Sequence, residues 1–159
     1  MTTSKSKERE NSLWKWLKKA GDKQATFLHI HRVENSVETG CPDMEGFSWA
    51  AKRGFWTELK SCPEPGPSGL VDVALTGEQQ YWLFARNRVE GLAWLLVRVG
   101  TGAKRRHYLL HGGEYLKQVV KESVTENWLA ERSVIKDRRP SALQLLAQMA
   151  VHAKKHWDN

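Results

Sequence analysis

The sequence predicts an α/β protein, a mixed β-sheet flanked by helices with a helical C-terminal extension. Three observations predict it. Segments that alternate with period two, near residues 25–34 and 54–61, interleave with segments of helical period at 10–20 and 76–90. The run Leu92 to Val99 is almost unbroken apolar sequence of strand length, which suits a strand covered on both faces. The stretch 62–70, CPEPGPSGL, holds three of the five prolines and two glycines, so no helix or central strand passes through it.

In order along the chain, residues 1–9 are polar and basic and read as a flexible tail. Leu13, Trp14, Trp16 and Leu17 stand at near-helical spacing in 10–20, with Gly21 as the stop. In 25–34, Phe27, His29, His31 and Val33 share one strand face, and Leu28, Ile30, Arg32 and Glu34 share the other. Residues 35–40 read as a turn, with a short strand at 43–47 and the longer strand at 54–61 after it. Thr76 with Gln79 three residues on is a capping-box signal, opening a helix that runs to about Glu90 and stops at Gly91. Lys104 to Arg106 reads as an exposed turn, 107–111 as a strand, 114–123 as a helix, and 124–139 as irregular chain with a short helix around Trp128. Pro140 and Ser141 open a last helix from Ala142 to about Trp157. Trp14, Trp16, Trp82 and Trp94 are candidate core residues, and His29 and His31 are expected to be half-buried.

The chain has 159 residues, enough for one domain with a real core. Its formal charge of +7 favours a polyanionic partner, nucleic acid first. No apolar run approaches the roughly 18 residues of a spanning helix, and MTTSKSKERENS holds no hydrophobic signal segment, so a cytoplasmic location and no membrane contact are expected. Two cysteines without a CxxC argue against zinc. A hairpin register that pairs Asp43 with Lys60 would bring Cys41 opposite Cys62, but two free thiols are the preferred reading.

The chemistry concentrates in Gly40-Cys41-Pro42-Asp43 and Glu58-Leu59-Lys60. Strand side chains alternate, so Glu58 and Lys60 point the same way, with Trp56 before them. Two carboxylates and an ammonium on one side of a hairpin can hold a hard cation and a water, which is the equipment for hydrolysing a phosphodiester. A Lys desolvated beside a cation is expected to have a lowered pKa. Each piece also has a plain structural reading: a solvated strand face with an ion pair, a Pro-Asp turn, a first-turn acid at Glu10, a capping Gln79.

Taken together, Glu10 followed by Leu13-Trp14, Gly40-x-Pro42-Asp43, Glu58-x-Lys60 and Leu75-Thr76-x-x-Gln79 resemble the PD-(D/E)xK nuclease superfamily, in its phage-type branch related to VRR-NUC domains and Holliday-junction resolvases. The resemblance implies a restriction-endonuclease-like core at 10–111 and leaves 112–159 as a helical extension packed on it. It implies that Asp43 and Glu58 ligate Mg²⁺, with Mn²⁺ able to substitute, and that the Leu59 carbonyl adds an oxygen. Lys60 would orient the attacking water, Glu10 would complete the acidic cluster and Gln79 would support the site. Glu34 competes with Glu10 for that place, ahead of Glu38 and Glu45. Cys41 departs from the small aliphatic or hydroxyl residue more common there. The implied activity is DNA endonuclease cleavage of branched or structured DNA by a phage-encoded homodimer without an organic cofactor. The rival is a non-catalytic nucleic-acid-binding or virion structural protein of the same fold.

Lys15, Lys18, Lys19, Arg32, Lys52, Arg53, Lys104, Arg105 and Arg106 are candidate DNA-phosphate contacts. Trp49 and Trp56 are candidates for stacking on a base beside the site. Lys136 to Arg139 and the last helix read as a second DNA contact, a dimer element or cover for the sheet.

Overall fold

The structure is a computed structural model and describes residues 4–35, 37–89 and 92–151. A central sheet is built from β1 (Leu28–Arg32), β2 (Met44–Ser48), β3 (Arg53–Cys62), β5 (Leu92–Val99) and β6 (Arg106–His111), in that spatial order. The strands β1, β2 and β3 form an antiparallel meander, β5 runs parallel to β3, and β6 returns antiparallel to β5. A parallel neighbour requires a crossover, and α2 (Gly77–Arg88) provides it. The protein is therefore mixed α/β, with a five-stranded mixed sheet flanked by helices.

The apolar run of β5 is explained by its place in the sheet. Leu92, Trp94 and Leu96 belong to one buried cluster with Leu13 and Leu17 of α1 (Ser4–Asp22) and Leu145, Leu146 and Met149 of α5 (Ala142–Met149). Ala93, Leu95, Val97 and Val99 belong to a second cluster with Leu83 of α2, Val119 of α3 (Lys117–Lys121) and Leu129 of α4 (Glu126–Arg132). Helices thus cover both faces of the strand, and both sets of alternating side chains must be apolar. The C-terminal extension is integral to this core: the Met149 carbonyl accepts from the Trp94 indole at 2.9 Å.

Several boundaries differ from the sequence expectation. The first helix begins at Ser4, so residues 4–9 are helical, and the Arg9 carbonyl accepts from Arg98 Nη2 at 2.6 Å. Gly21 does not stop it. It lies inside the helix, where a Cβ would stand 2.9 Å from the Ile30 side chain, so it is there for close packing against β1. The strand β1 is shorter than 25–34 because a turn with Phe27 N–H donating to the Gln24 carbonyl occupies its start. His29 and His31 are exposed, not half-buried, because β1 is an edge strand whose inward face is carried by Leu28 and Ile30. A two-residue pair, β4 (Leu70–Val71) with β7 (Val124–Thr125), was not legible in the proline-rich loop. The helix end at Glu90 with its Gly91 stop, and the end near Trp157, lie outside the described residues. Cys41 and Cys62 are free thiols: β2 and β3 pair with Met44 opposite Thr57, two residues away from the register that would align them.

Candidate metal centre

The strand β3 positions the charged pair. Glu58 and Lys60 point to the α2 side of the sheet, and both are buried, at 1% and 5% exposure. They are therefore not a solvated strand face. Lys60 Nζ lies 2.9 Å from Glu58 Oε1. Asp43 stands level with Glu58, one step beyond the β2–β3 ladder, and its Oδ2 accepts from the Leu59 backbone N–H at 2.9 Å. That bond ties the start of β2 to the middle of the motif strand.

The geometry of the approach to Asp43 comes from Gly40. Its φ is +83°, and a Cβ there would stand 2.6 Å from the Glu78 carbonyl oxygen. The chain can pass this close to the first turn of α2 only with glycine, and the buried Pro42 follows it. The same helix turn supplies Gln79. The amide of Gln79 is divided between two tasks. Its Oε1 accepts from Thr76 N–H at 3.0 Å while Thr76 Oγ1 accepts from Gln79 N–H at 3.2 Å, completing the capping box. Its Nε2 donates to Glu58 Oε1 at 2.5 Å. The capping and site roles are therefore held by one side chain at once.

Charge is crowded here. Burial first, then the charge of Asp43, pushes the Glu58 carboxyl up to about 8, against the opposing pull of Lys60. Glu10 is also raised, chiefly by burial, with the charge of Lys60 opposing the shift and that of Asp43 adding to it. For Lys60, burial favours the neutral amine, but Glu58, Glu10 and Asp43 together outweigh it and the net shift is upward. The expectation of a lowered Lys60 pKa is thus reversed where three acids surround the ammonium. Among the contenders for the third acid, Glu10 acts electrostatically on Lys60 and Glu58. Glu34 is exposed beyond β1, Glu38 acts instead on Cys41, and Glu45 pairs with His31 at 3.0 Å.

The donor set suits a hard cation. Glu58 Oε2 is buried without a hydrogen-bond partner among the described residues, and the surrounding donors are carboxylates and backbone oxygen rather than sulfur or imidazole. Among the described residues, no three acidic, histidine or cysteine side chains close together on one point as a ready cage.

The predicted phosphate contacts are scattered. Lys15, Lys18 and Lys19 line a shallow groove on α1 with Trp14, Asp22 and Lys23, and Lys18 pairs with Asp22 at 2.5 Å. Arg32 donates to the Asn11 side chain. Lys52 and Arg53 sit at the β2–β3 turn, the far end of the hairpin from Glu58, and so does Trp49, which packs edge-on to Phe47. Trp49 is thereby removed from the site. Trp56 is nearer, half-buried against Trp82 with Arg86 over both rings. Lys104 is exposed, and Arg105 donates to the Gly102 carbonyl. Arg106 is not a free cation: it binds Glu64 at 2.9 Å and Glu126 at 2.7 Å, and is used up in holding β6 to the surrounding loops.

No protein-family model matches the chain, and no curated protein matches it. The reading of the site therefore stands on its geometry.

One cluster escaped the sequence reading. Arg98, Ser61, His107 and Arg9 gather on the α1 side of the sheet, the face opposite Glu58 and Lys60. The available signal was the single arginine inside the apolar run Leu92 to Val99. No helix among the described residues is long and apolar enough to cross a membrane.

Proposed function

We propose that this protein is a metal-dependent endodeoxyribonuclease with a restriction-endonuclease-like core. One observation carries the reading: Glu58 and Lys60 are buried together beside Asp43 and Glu10, with a Glu58 oxygen left unpartnered among the described residues. Burying this much charge is costly for stability alone, and a site that meets a cation and a phosphate explains it. The order of α1, an antiparallel three-stranded meander, α2 and a parallel strand also supports the resemblance noted from the motifs.

In this reading Asp43, Glu58 and the Leu59 carbonyl hold Mg²⁺ or Mn²⁺, with Glu10 at the approach. The ion supplies charge neutralisation and lowers the pKa of a coordinated water. The chain's own residues do the rest. Gln79 fixes the Glu58 carboxylate through Nε2, so that Oε2 stays free. The Asp43–Leu59 bond sets the distance between the two acids. The Lys60 ammonium, protonated at neutral pH, donates to the water or to a phosphate oxygen and stabilises the charge that develops there. Branched DNA as substrate, a homodimer and a phage origin with action in the host cytoplasm complete the proposal, from the motif resemblance.

The test is cleavage of plasmid, single-stranded, flap and four-way-junction DNA in Mg²⁺ or EDTA, with Asp43→Ala and Lys60→Ala. Metal-dependent cutting that both variants lose supports the reading. Binding without cutting on every substrate favours a non-catalytic DNA-binding protein, and cutting that survives both substitutions refutes the residue assignment.

A further inference from the structure

Across the sheet from Lys60, three strands present a level row: Ser61 pairs with Arg98, and Arg98 pairs with His107. Arg98 and His107 are 3% and 6% exposed. Arg98 Nε donates to Ser61 Oγ at 3.0 Å and Nη2 donates to the Arg9 carbonyl at 2.6 Å. Its Nη1 has no acceptor among the described residues, and neither does Arg9 Nε, while both nitrogens of His107 are unpartnered there. The His107 ring is held in place by stacking on Trp16, with centroids 4.7 Å apart and planes 19° from parallel.

The row is also unbalanced in charge. Burial, and then the charges of Arg105 and Arg9, bring Arg98 down to about 10. Burial, and then Arg98 and Arg105, bring His107 down to about 4. Every charged group acting on these two side chains is a cation. A buried guanidinium is ordinarily paired with an acid, because an uncompensated charge in the interior is expensive. Here Arg98 Nη1, Arg9 Nε and the His107 ring are left without a partner among the described residues, and no anion of the protein acts on Arg98 or His107. Arg9 and Arg105 are half-buried and stand at the solvent edge of the row.

We propose that Arg98, His107, Ser61 and Arg9 form a binding site for a phosphate oxyanion, presented by a nucleic-acid strand or as free phosphate. With Arg98 Nε and Nη2 already engaged, Arg98 Nη1 and Arg9 Nε are the N–H groups left to meet an oxyanion, and a guanidinium is less strongly hydrated than an ammonium and so better suited to an interior site. Successive strand residues face opposite sides of the sheet, so Ser61 and Arg98 face away from Lys60, and the oxyanion meets the row on the α1 side, where Arg9 is the residue before Glu10. A nucleic-acid strand as the source of the phosphate rests on the nuclease reading; the oxyanion site itself does not.

The experiment uses the full chain in EDTA, so cleavage plays no part. Thermal unfolding is followed against inorganic phosphate and against sodium chloride of equal ionic strength. Wild type is expected to gain several degrees in phosphate beyond the chloride control. Arg98→Met is expected to lose that response while unfolding at the same temperature or higher without phosphate, since a buried uncompensated charge has been replaced by a thioether. A wild-type response no larger than in chloride, or a response kept by Arg98→Met, overturns the site. Should that variant fail to fold, His107→Phe, which keeps the stack on Trp16 and removes the ring N–H, is read in the same way. The source is separated by anisotropy of a labelled single-stranded oligonucleotide in EDTA. Displacement by inorganic phosphate and a roughly tenfold weaker complex with Arg98→Met support the strand phosphate. Phosphate stabilisation with an oligonucleotide complex indifferent to both shows free phosphate as the source and overturns the nucleic-acid strand.

Discussion

Replacing Glu58 by Gln changes one charge and almost no volume, and the amide oxygen can still accept from Lys60 and Gln79. The wild-type carboxyl sits at about 8 against an ordinary 4.5. At about 1.4 kcal/mol for each pKa unit, keeping it ionised above pH 8 costs up to roughly 4–5 kcal/mol. Its folded pKa is raised, so the stability it contributes is full below about 4.5 and is lost as the pH climbs toward 8. Glu10 is raised as well and adds a smaller loss of the same sign that remains in the variant. Lys60 loses its nearest partner on substitution, so the net gain for Glu58→Gln at pH 8 in EDTA is expected to be about 1–2 kcal/mol, or roughly 3–6 °C in a domain of this size. The assay is unfolding temperature against pH in EDTA, read between pH 6.5 and 8. The wild type should fall across that window, the variant should fall much less, and only the wild type should regain stability in Mg²⁺. A variant several kcal/mol less stable at pH 8, beside a flat wild-type profile, would show that Glu58 and Lys60 are a structural ion pair, and the reasoning would be wrong.

The divided role of Gln79 separates by substitution. Thr76→Ala should cost about 1 kcal/mol by denaturant unfolding and leave cleavage in place, whereas Gln79→Ala should cost a similar amount and also depress the cleavage rate, because Glu58 loses its Nε2 donor. Arg106→Met should destabilise by about 2–3 kcal/mol, since Glu64 and Glu126 lose their shared cation, with DNA affinity unchanged at fixed salt. The His107 imidazole faces Trp16 of α1, Arg98 of β5 and Arg105, and its folded pKa of about 4 lies below the ordinary 6.5. It therefore contributes stability above about 6.5 that is lost as the pH falls toward 4, and His107→Phe should flatten that acid limb by about 2–3 kcal/mol in a pH series of unfolding curves.

What was legible in the sequence were features set by local rules. Period-two alternation placed Glu58 and Lys60 on one face of β3, and the Thr76–Gln79 spacing gave the start of α2. The strand β5 was legible because burial on both faces leaves no polar position except Arg98. Features set by tertiary contact were not. Gly21 reads as a helix stop until Ile30 is seen against it. The helical state of residues 4–9 comes with the tether from Arg98 to the Arg9 carbonyl, a partner 89 positions away along the chain. Arg106 reads as an exposed cation because Glu64 and Glu126 are remote in sequence. The choice of Glu10 over Glu34 depended on how α1 lies across the sheet, which no spacing encodes.

The central claim is that Asp43 and Glu58, with Glu10 at hand, are arranged to take a divalent cation beside a protonated Lys60. The most direct measurement is anomalous diffraction from crystals soaked in Mn²⁺. The account predicts a peak within bonding distance of Asp43 and of Glu58 Oε2, with the Lys60–Glu58 contact opened to admit it. Anomalous density elsewhere on the surface, with the Glu58–Lys60 pair still closed at saturating Mn²⁺, would contradict it.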